Sequence, residues 1–244
     1  MNRKIALLIL ACVFSVAGCK KEEQVSINKA DQAVSWQKKQ EKSFGKFDYL
    51  DISEKEAQKI MKEKFAISLP ELYTSALPIL TETLQTQENV KEEPVYTVVA
   101  TGNTLVMNGT YSYKNKQDGK YYSYATIEMT YEFDAQKQIT WLSSQDIMIF
   151  NYPEQGKVYL NDPMEALEKL AVLTKIEDLD EKITTFKKNI DQPTDEIKGK
   201  KLKLENTLKQ AEKDHTVARN IGMDFSENGT LSLIRIFVKD YTQK

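Results

Sequence analysis

This sequence predicts an α+β fold: an antiparallel sheet of about four to six strands, helices packed on one face, and an αα-hairpin inserted before the last two strands. Three observations carry that prediction. Between Pro94 and Phe150 apolar residues recur with a period of two, in runs separated by turn chemistry. On either side of this block they recur at threes and fours, the spacing of helices that bury one face. The connections between the period-two runs are short, which makes neighbouring strands antiparallel, because a parallel pair needs a long crossover.

The elements follow in order. Met1-Asn2-Arg3-Lys4 is a short positive region, and the run 5–16 is apolar. That run has the length of a signal-peptide core and falls short of the roughly 20 apolar residues of a membrane span. Polar Lys20-Lys21-Glu22-Glu23 follows at once. At the junction, Val16-Ala17-Gly18-Cys19 resembles the bacterial lipobox: a branched aliphatic residue, two small residues, then cysteine. The resemblance implies that the Cys19 thiol receives a diacylglycerol, that the leader 1–18 is removed, and that the lipid holds the protein on the extracytoplasmic face of the cell membrane. Two acyl chains on one residue suffice for stable anchoring. Residues 19–46 then read as the lipidated cysteine and a polar tether, partly helical around 30–42. Residues 47–244 read as a single extracytoplasmic domain.

Within that domain Ser53-Glu54-Lys55-Glu56 is a capping box, a hydroxyl and a carboxylate three residues apart. Ala57, Ile60, Met61 and Phe65 continue it at helical spacing. A second helical stripe, Leu72 to Leu84, contains Pro78, which is expected to kink or divide it. Four strands are predicted over 95–100, 104–114, 121–133 and 138–150, with a bulge at Ser143-Ser144 where the pattern changes phase. Asp162-Pro163 opens a helix whose stripe runs to Ile190. A second helix is predicted from Thr194 to about Asp214, completing the αα-hairpin. A β-hairpin around Ser226-Glu227-Asn228-Gly229 closes the chain.

Hydrophobic residues make up 41% and charged residues 29%, with a formal net charge of −2. These values exclude a multi-span membrane protein, a collagen and a wholly disordered chain. Nucleic acid is not an expected partner, because the basic excess that phosphates demand is missing. Only three of the 34 basic residues are arginine, the side chain suited to bidentate phosphate recognition.

Chemistry-bearing patterns are scarce. Of the two cysteines, Cys12 leaves with the leader and Cys19 is the lipidation site. The single histidine, His215, ends a charged helix without ligand or catalytic partners at useful spacing. Asp178, Asp180 and Glu181 lack the spacing of a calcium loop. No catalytic residue, metal site or cofactor is assigned. The informative signal is aromatic: Tyr111, Tyr113, Tyr121, Tyr122, Tyr124 and Tyr131 are six of the twelve tyrosines. Tyrosine pairs a flat apolar ring with a hydroxyl, which suits recognition surfaces. Odd positions are apolar in both central strands, so odd must face odd. A five-residue loop, 115–119, would set Tyr113 opposite Tyr121, Tyr111 opposite Ser123, Met107 opposite Ile127 and Leu105 opposite Met129. Tyr122 and Tyr124 then emerge on the wetter face as exposed partner-binding candidates. The function expected is a non-enzymatic, lipid-anchored envelope protein that binds a cell-envelope or secreted protein through an exposed sheet face, possibilities including an immunity-type role. A lipid or peptide carrier with a pocket between sheet and helices is the first alternative. A hydrolase working through carboxylates is the second.

Overall fold

The computed structural model describes residues 31–243. In chain order the elements are β1 (Gln37–Lys39), β2 (Gly45–Ile52), α1 (Glu54–Glu63), α2 (Glu71–Leu84), β3 (Asn89–Lys91), β4 (Val95–Gly102), β5 (Thr104–Asn115), β6 (Tyr121–Asp134), β7 (Ile139–Asn151), α3 (Pro163–Leu173), α4 (Leu179–Ile190), α5 (Thr194–Ile197), β8 (Lys201–Asn206), α6 (Leu208–Asp214), β9 (Val217–Phe225) and β10 (Leu231–Asp240). The strands form one sheet in the order β2-β4-β5-β6-β7-β10-β9-β8, with β1 added to β7 and β3 to β5. Every pairing is antiparallel. Two meanders, β4 to β7 and β8 to β10, join where β10 pairs with β7.

The sheet has ten strands, so the expectation of four to six is corrected upward. The additional strands are short or polar. β1 and β3 have three residues each, too few to show a period. β2 is mostly exposed and carries Lys46, Asp48 and Asp51, the charged look of an edge strand. The αα-hairpin is corrected as well. Its first arm is two helices, α3 and α4, and its second arm contains strand β8 between the short helices α5 and α6. Leu202, Leu204 and Leu208 suit either a period of two or a helical stripe, and pairing with β9 decides for the strand. The tether expected through residue 46 ends earlier. Val34 and Phe44 are buried in the core, and Gln37 to Lys39 pair with Trp141 to Ile139.

Local signals act as their chemistry requires. Ser53 and Glu56 cap α1 reciprocally. Helix α2 runs unbroken through Pro78. Ser143 is the extra residue where the β6–β7 register shifts, a bulge.

One sheet face carries α1, α2 and α3, and α6 packs by Ala211 on Ala218 at the β9 end of the other. Even positions of β4 and odd positions of β5 and β6 point to the first face and are buried. Helix α1 lies over β4, α2 over β5 and β6, α3 over β10, and α2 packs on α3. Ile127, Met129, Ile147 and Ile236 are almost wholly buried there. Each such side chain contributes about 1.5–3 kcal/mol by leaving water. Tyrosines fill the remaining depth. The Tyr73 and Tyr96 hydroxyls lie 2.8 Å apart, Tyr96 also bonds the Tyr111 hydroxyl, and Tyr111 donates to Glu54 at 3.4 Å. Gly109 makes this possible: a Cβ there would sit 2.5 Å from the Tyr96 ring. Burial pushes all three phenols above their ordinary range, so they remain neutral donors and acceptors for one another.

Candidate functional site

The opposite face of the central strands carries Thr97 on β4, Asn108 and Thr110 on β5, and Thr126 and Glu128 on β6. These side chains are half-buried by their cross-strand neighbours. Near the middle of this face Asp146 on β7 accepts a bidentate contact from Arg235 on β10, with Nε to Oδ1 at 2.9 Å. That contact raises the Arg235 pKa further and keeps Asp146 occupied. Asp224 on β9 meets Lys201 and Lys203 of β8. The carboxylates Asp146 and Asp224 are therefore paired internally, while the Thr126 hydroxyl has no hydrogen-bond partner among the described residues.

One end of the sheet is aromatic. The Tyr122 ring stacks on Tyr159 at 4.4 Å and an interplanar angle of 11°. Tyr124 stacks on Phe150 at 4.5 Å and 12°, and on Tyr152 at 5.8 Å and 28°. Two elements position these rings. Strand β6 supplies Tyr122 and Tyr124, and β7 with the loop after it supplies Phe150, Tyr152 and Tyr159. The Tyr152 amide donates to the Tyr122 carbonyl at 2.8 Å, and the Tyr159 amide to Asn151 Oδ1 at 2.7 Å. Exposed Val90, Val95, Tyr121, Tyr152 and Val158 gather at this end. Val90 and Tyr121 both stand opposite Lys114. The result is an apolar patch with a rim of carboxylates and lysines, the anatomy of an interaction surface.

The hydroxyls are oriented from the rim. Tyr122 donates to Asp118 at 2.6 Å, which lowers the carboxyl pKa and raises that of the phenol. Tyr121 donates to Glu92, whose other oxygen takes Lys114 at 2.8 Å. The lysine and the phenol together lower the Glu92 pKa. Partial burial and the Tyr152 hydroxyl push the Tyr124 phenol up to about 12. At neutral pH these phenols are thus donors held on a stacked platform.

Tyr124 lies on the open face, stacked on Phe150 and Tyr152, whereas Tyr122 lines a small pocket with Tyr159, Tyr113, Ser123 and Thr86 at the end of the helix-covered side; both are half-buried, and the more exposed rings are Tyr121 and Tyr152. The pairing differs by two residues from the expected one. Tyr113 faces Ser123, Tyr111 faces Ala125, Met107 faces Met129 and Leu105 faces Tyr131. Odd meets odd from the Tyr113–Ser123 pair onward, so those faces are as read, and at the hairpin end a bulge breaks the parity. Lys114 pairs with Tyr121 while Tyr113 pairs with Ser123, which leaves Tyr122 as the inserted residue. Tyr152, Tyr159 and Phe150 were not among the expected contact residues. Their only sequence signal is an aromatic run at the end of a strand, and their partners are 26 or more positions away in the chain.

The other singled-out residues do not join this site. His215 is the exposed C-cap of α6, in the left-handed conformation. Asp178, Asp180 and Glu181 begin α4, and among the described residues no three His, Cys, Asp or Glu side chains converge on a metal-sized space. The space between sheet and helices is filled by Tyr73, Tyr96, Tyr131, Phe186 and their neighbours. Two larger cavities lie at the margins. One, of 340 Å³, is a charged crevice beside Arg219 and Lys182, and one, of 530 Å³, adjoins Phe44 and Phe47. Cys19 falls outside the described residues. No known family, curated protein sequence or solved structure matches the chain.

Proposed function

We propose that this is a non-enzymatic, lipid-anchored protein of the cell envelope that binds another protein through the aromatic end of its open sheet face. The observation that carries the reading is the stacked row Phe150–Tyr124–Tyr152 on the open face, with the Tyr122–Tyr159 pair at the same end of the sheet and exposed valines beside it. Rings already stacked lose little conformational freedom when a partner lands on them, and their hydroxyls supply orientation. The path of the chain agrees with this use. Asp31 pairs with Arg219 at 2.8 Å, and the Val34 carbonyl accepts from Gln145 at 2.6 Å, both on the helix-covered side. A tether arriving there from Cys19 leaves the open face clear. The partner class is a cell-envelope or secreted protein, and neutralising a secreted toxin at the membrane is one role this arrangement serves.

Photo-crosslinking in intact cells tests the surface. A crosslinking residue in place of Tyr152 is expected to yield one discrete protein adduct. The same residue in place of Val172 on α3, equally exposed at 50% against 49%, yields none. Adding Tyr122→Ala and Tyr124→Ala removes the adduct. Equal adducts from both positions, or none from either, would sink the reading. The anchor is tested separately by detergent phase partitioning, where Cys19→Ser moves the protein from the detergent phase to the aqueous phase.

A further inference from the structure

The geometry points to a second binding site, for an organic cation with a quaternary ammonium head, in the aromatic cage formed by Phe47, Tyr49 and Phe65. Phe47 and Tyr49 come from β2 and face the helix-covered side, opposite Ala100 and Val98. Phe65 follows the C-cap of α1. Phe65 meets Phe47 edge-on at 6.1 Å and Phe44 at 5.9 Å, so the rings form walls and a floor.

The cage already holds an ammonium. Lys64 Nζ lies 3.1 Å from the centre of the Phe47 ring, 4.8 Å from that of Tyr49 and 5.8 Å from that of Phe65. It also donates to the Tyr49 hydroxyl. Other lysines of the protein lie over aromatic rings, but this one is surrounded by three. Rings attract a cation through their negative faces, and such cages are the usual means of recognising quaternary ammonium groups. The carbonyls of Phe65 and Ala66 just beyond α1 are taken by the Lys38 ammonium at 2.6 and 3.1 Å, so the rings themselves carry the site. An open cavity of 530 Å³, with Glu41 and Lys42 on its rim, adjoins Phe44, Phe47 and Phe65 and leaves room for the rest of a ligand.

Lys64 is exposed and its stem is flexible, so it can leave. A lysine held over rings loses rotamer entropy, which is recovered when a ligand replaces it. Lys64 therefore acts as a built-in stand-in that the incoming cation displaces. A quaternary group keeps no N–H and sheds water more readily than a primary ammonium, which suits it to an apolar cage. The head could belong to a free solute or to a choline lipid, and the chemistry of recognition is the same.

The test uses the full-length Cys19→Ser chain, with saturation-transfer NMR on the methyl protons of tetramethylammonium and choline. Saturable transfer is expected for both, and none for the neutral isostere 3,3-dimethylbutanol. Lys64→Met vacates the cage and tightens binding by about tenfold. Phe47→Leu in that background weakens it by about as much, the size of a partly desolvated cation–π contact. Phe47 is partly exposed, and circular dichroism checks that the variant folds. Sedimentation with phosphatidylcholine and phosphatidylglycerol vesicles separates the sources. Retention on the choline lipid alone assigns a headgroup, and binding of free choline without retention assigns a solute. Absence of saturable transfer in both wild type and Lys64→Met overturns the site, as does equal binding of the neutral isostere.

Discussion

Tyrosine is used on both faces of this sheet, and the two uses differ. Under the helices Tyr73, Tyr96 and Tyr111 satisfy their hydroxyls through one another and through Glu54. At one end of the sheet Tyr124 stacks on Phe150 and Tyr152 on the open face, Tyr122 and Tyr159 stack as a separate pair, and Tyr121 and Tyr122 turn their hydroxyls to carboxylates at the rim. The difference teaches what burial demands. Away from water a hydroxyl must find a protein partner or cost stability, so the buried group is a closed chain. At the surface water serves any hydroxyl, and the rings are free to form a flat platform. The first cluster belongs to the scaffold and the second to recognition.

The largest effect that sharpens this contrast is on the buried side. Tyr96→Ala is expected to lower unfolding free energy by about 3–5 kcal/mol, as for other large aromatic truncations in a core. Urea denaturation measures it. Gly109→Ala comes next. It places a Cβ 2.5 Å from the Tyr96 ring on a rigid strand, and overpacking of that kind costs about 1–3 kcal/mol. The two changes relieve each other, so the double variant should cost less than their sum. Strict additivity would show that the ring does not need the glycine.

Alkaline pH sets the clusters against each other by cause. Burial raises the folded-state pKa of Tyr73, Tyr96, Tyr111 and Tyr131 above the ordinary 10.0. Stability that depends on such groups is whole below the unfolded value and is lost as pH rises through 10 toward the folded value. Urea midpoints should therefore fall between about pH 9 and pH 11. Below about pH 12 Tyr96→Phe and Tyr124→Phe should flatten that fall equally, because either phenol stays protonated in the folded state while its unfolded counterpart ionises; above it the Tyr124 contribution levels off and the Tyr96 contribution keeps growing. A Tyr96 contribution that levels off first would break the comparison. The smallest stability effect is expected at the surface. Tyr124→Ala removes its stacking contacts and should cost about 1 kcal/mol, while abolishing the crosslink from position 152. A cost as large as that of Tyr96→Ala would make the platform part of the core.

Much of the scaffold was legible in local signals. The capping box at Ser53, the helix opening at Pro163, the bulge at Ser143 and the closing hairpin each rest on residues within a few positions of one another. The wet side of β6 was legible too, because fourteen residues of alternation leave no doubt about parity. The short strands were not. Three residues of β1 contain no period, and they are a strand only because β7 offers an unpaired stretch beyond the end of β10. β8 shows the same limit from the other side, since its leucines fit two periods and β9 selects one.

The candidate sites divide in the same way. Sequence alone determined that Tyr124 shares a face with Thr126 and Glu128, since side chains of a regular strand alternate whatever it pairs with, while the bulge takes Tyr122 out of that alternation. Tertiary structure decided what meets them. It moved the register by two, one residue in the turn and one at the Tyr122 bulge, brought Tyr159 and Tyr152 across from the loop after the next strand, and closed Phe47, Tyr49 and Phe65 around Lys64. The reason is physical. Alternation and capping are set by bonds and sterics within one segment, whereas stacking and caging depend on segments far apart in the chain, whose meeting is set by the packing of the whole sheet.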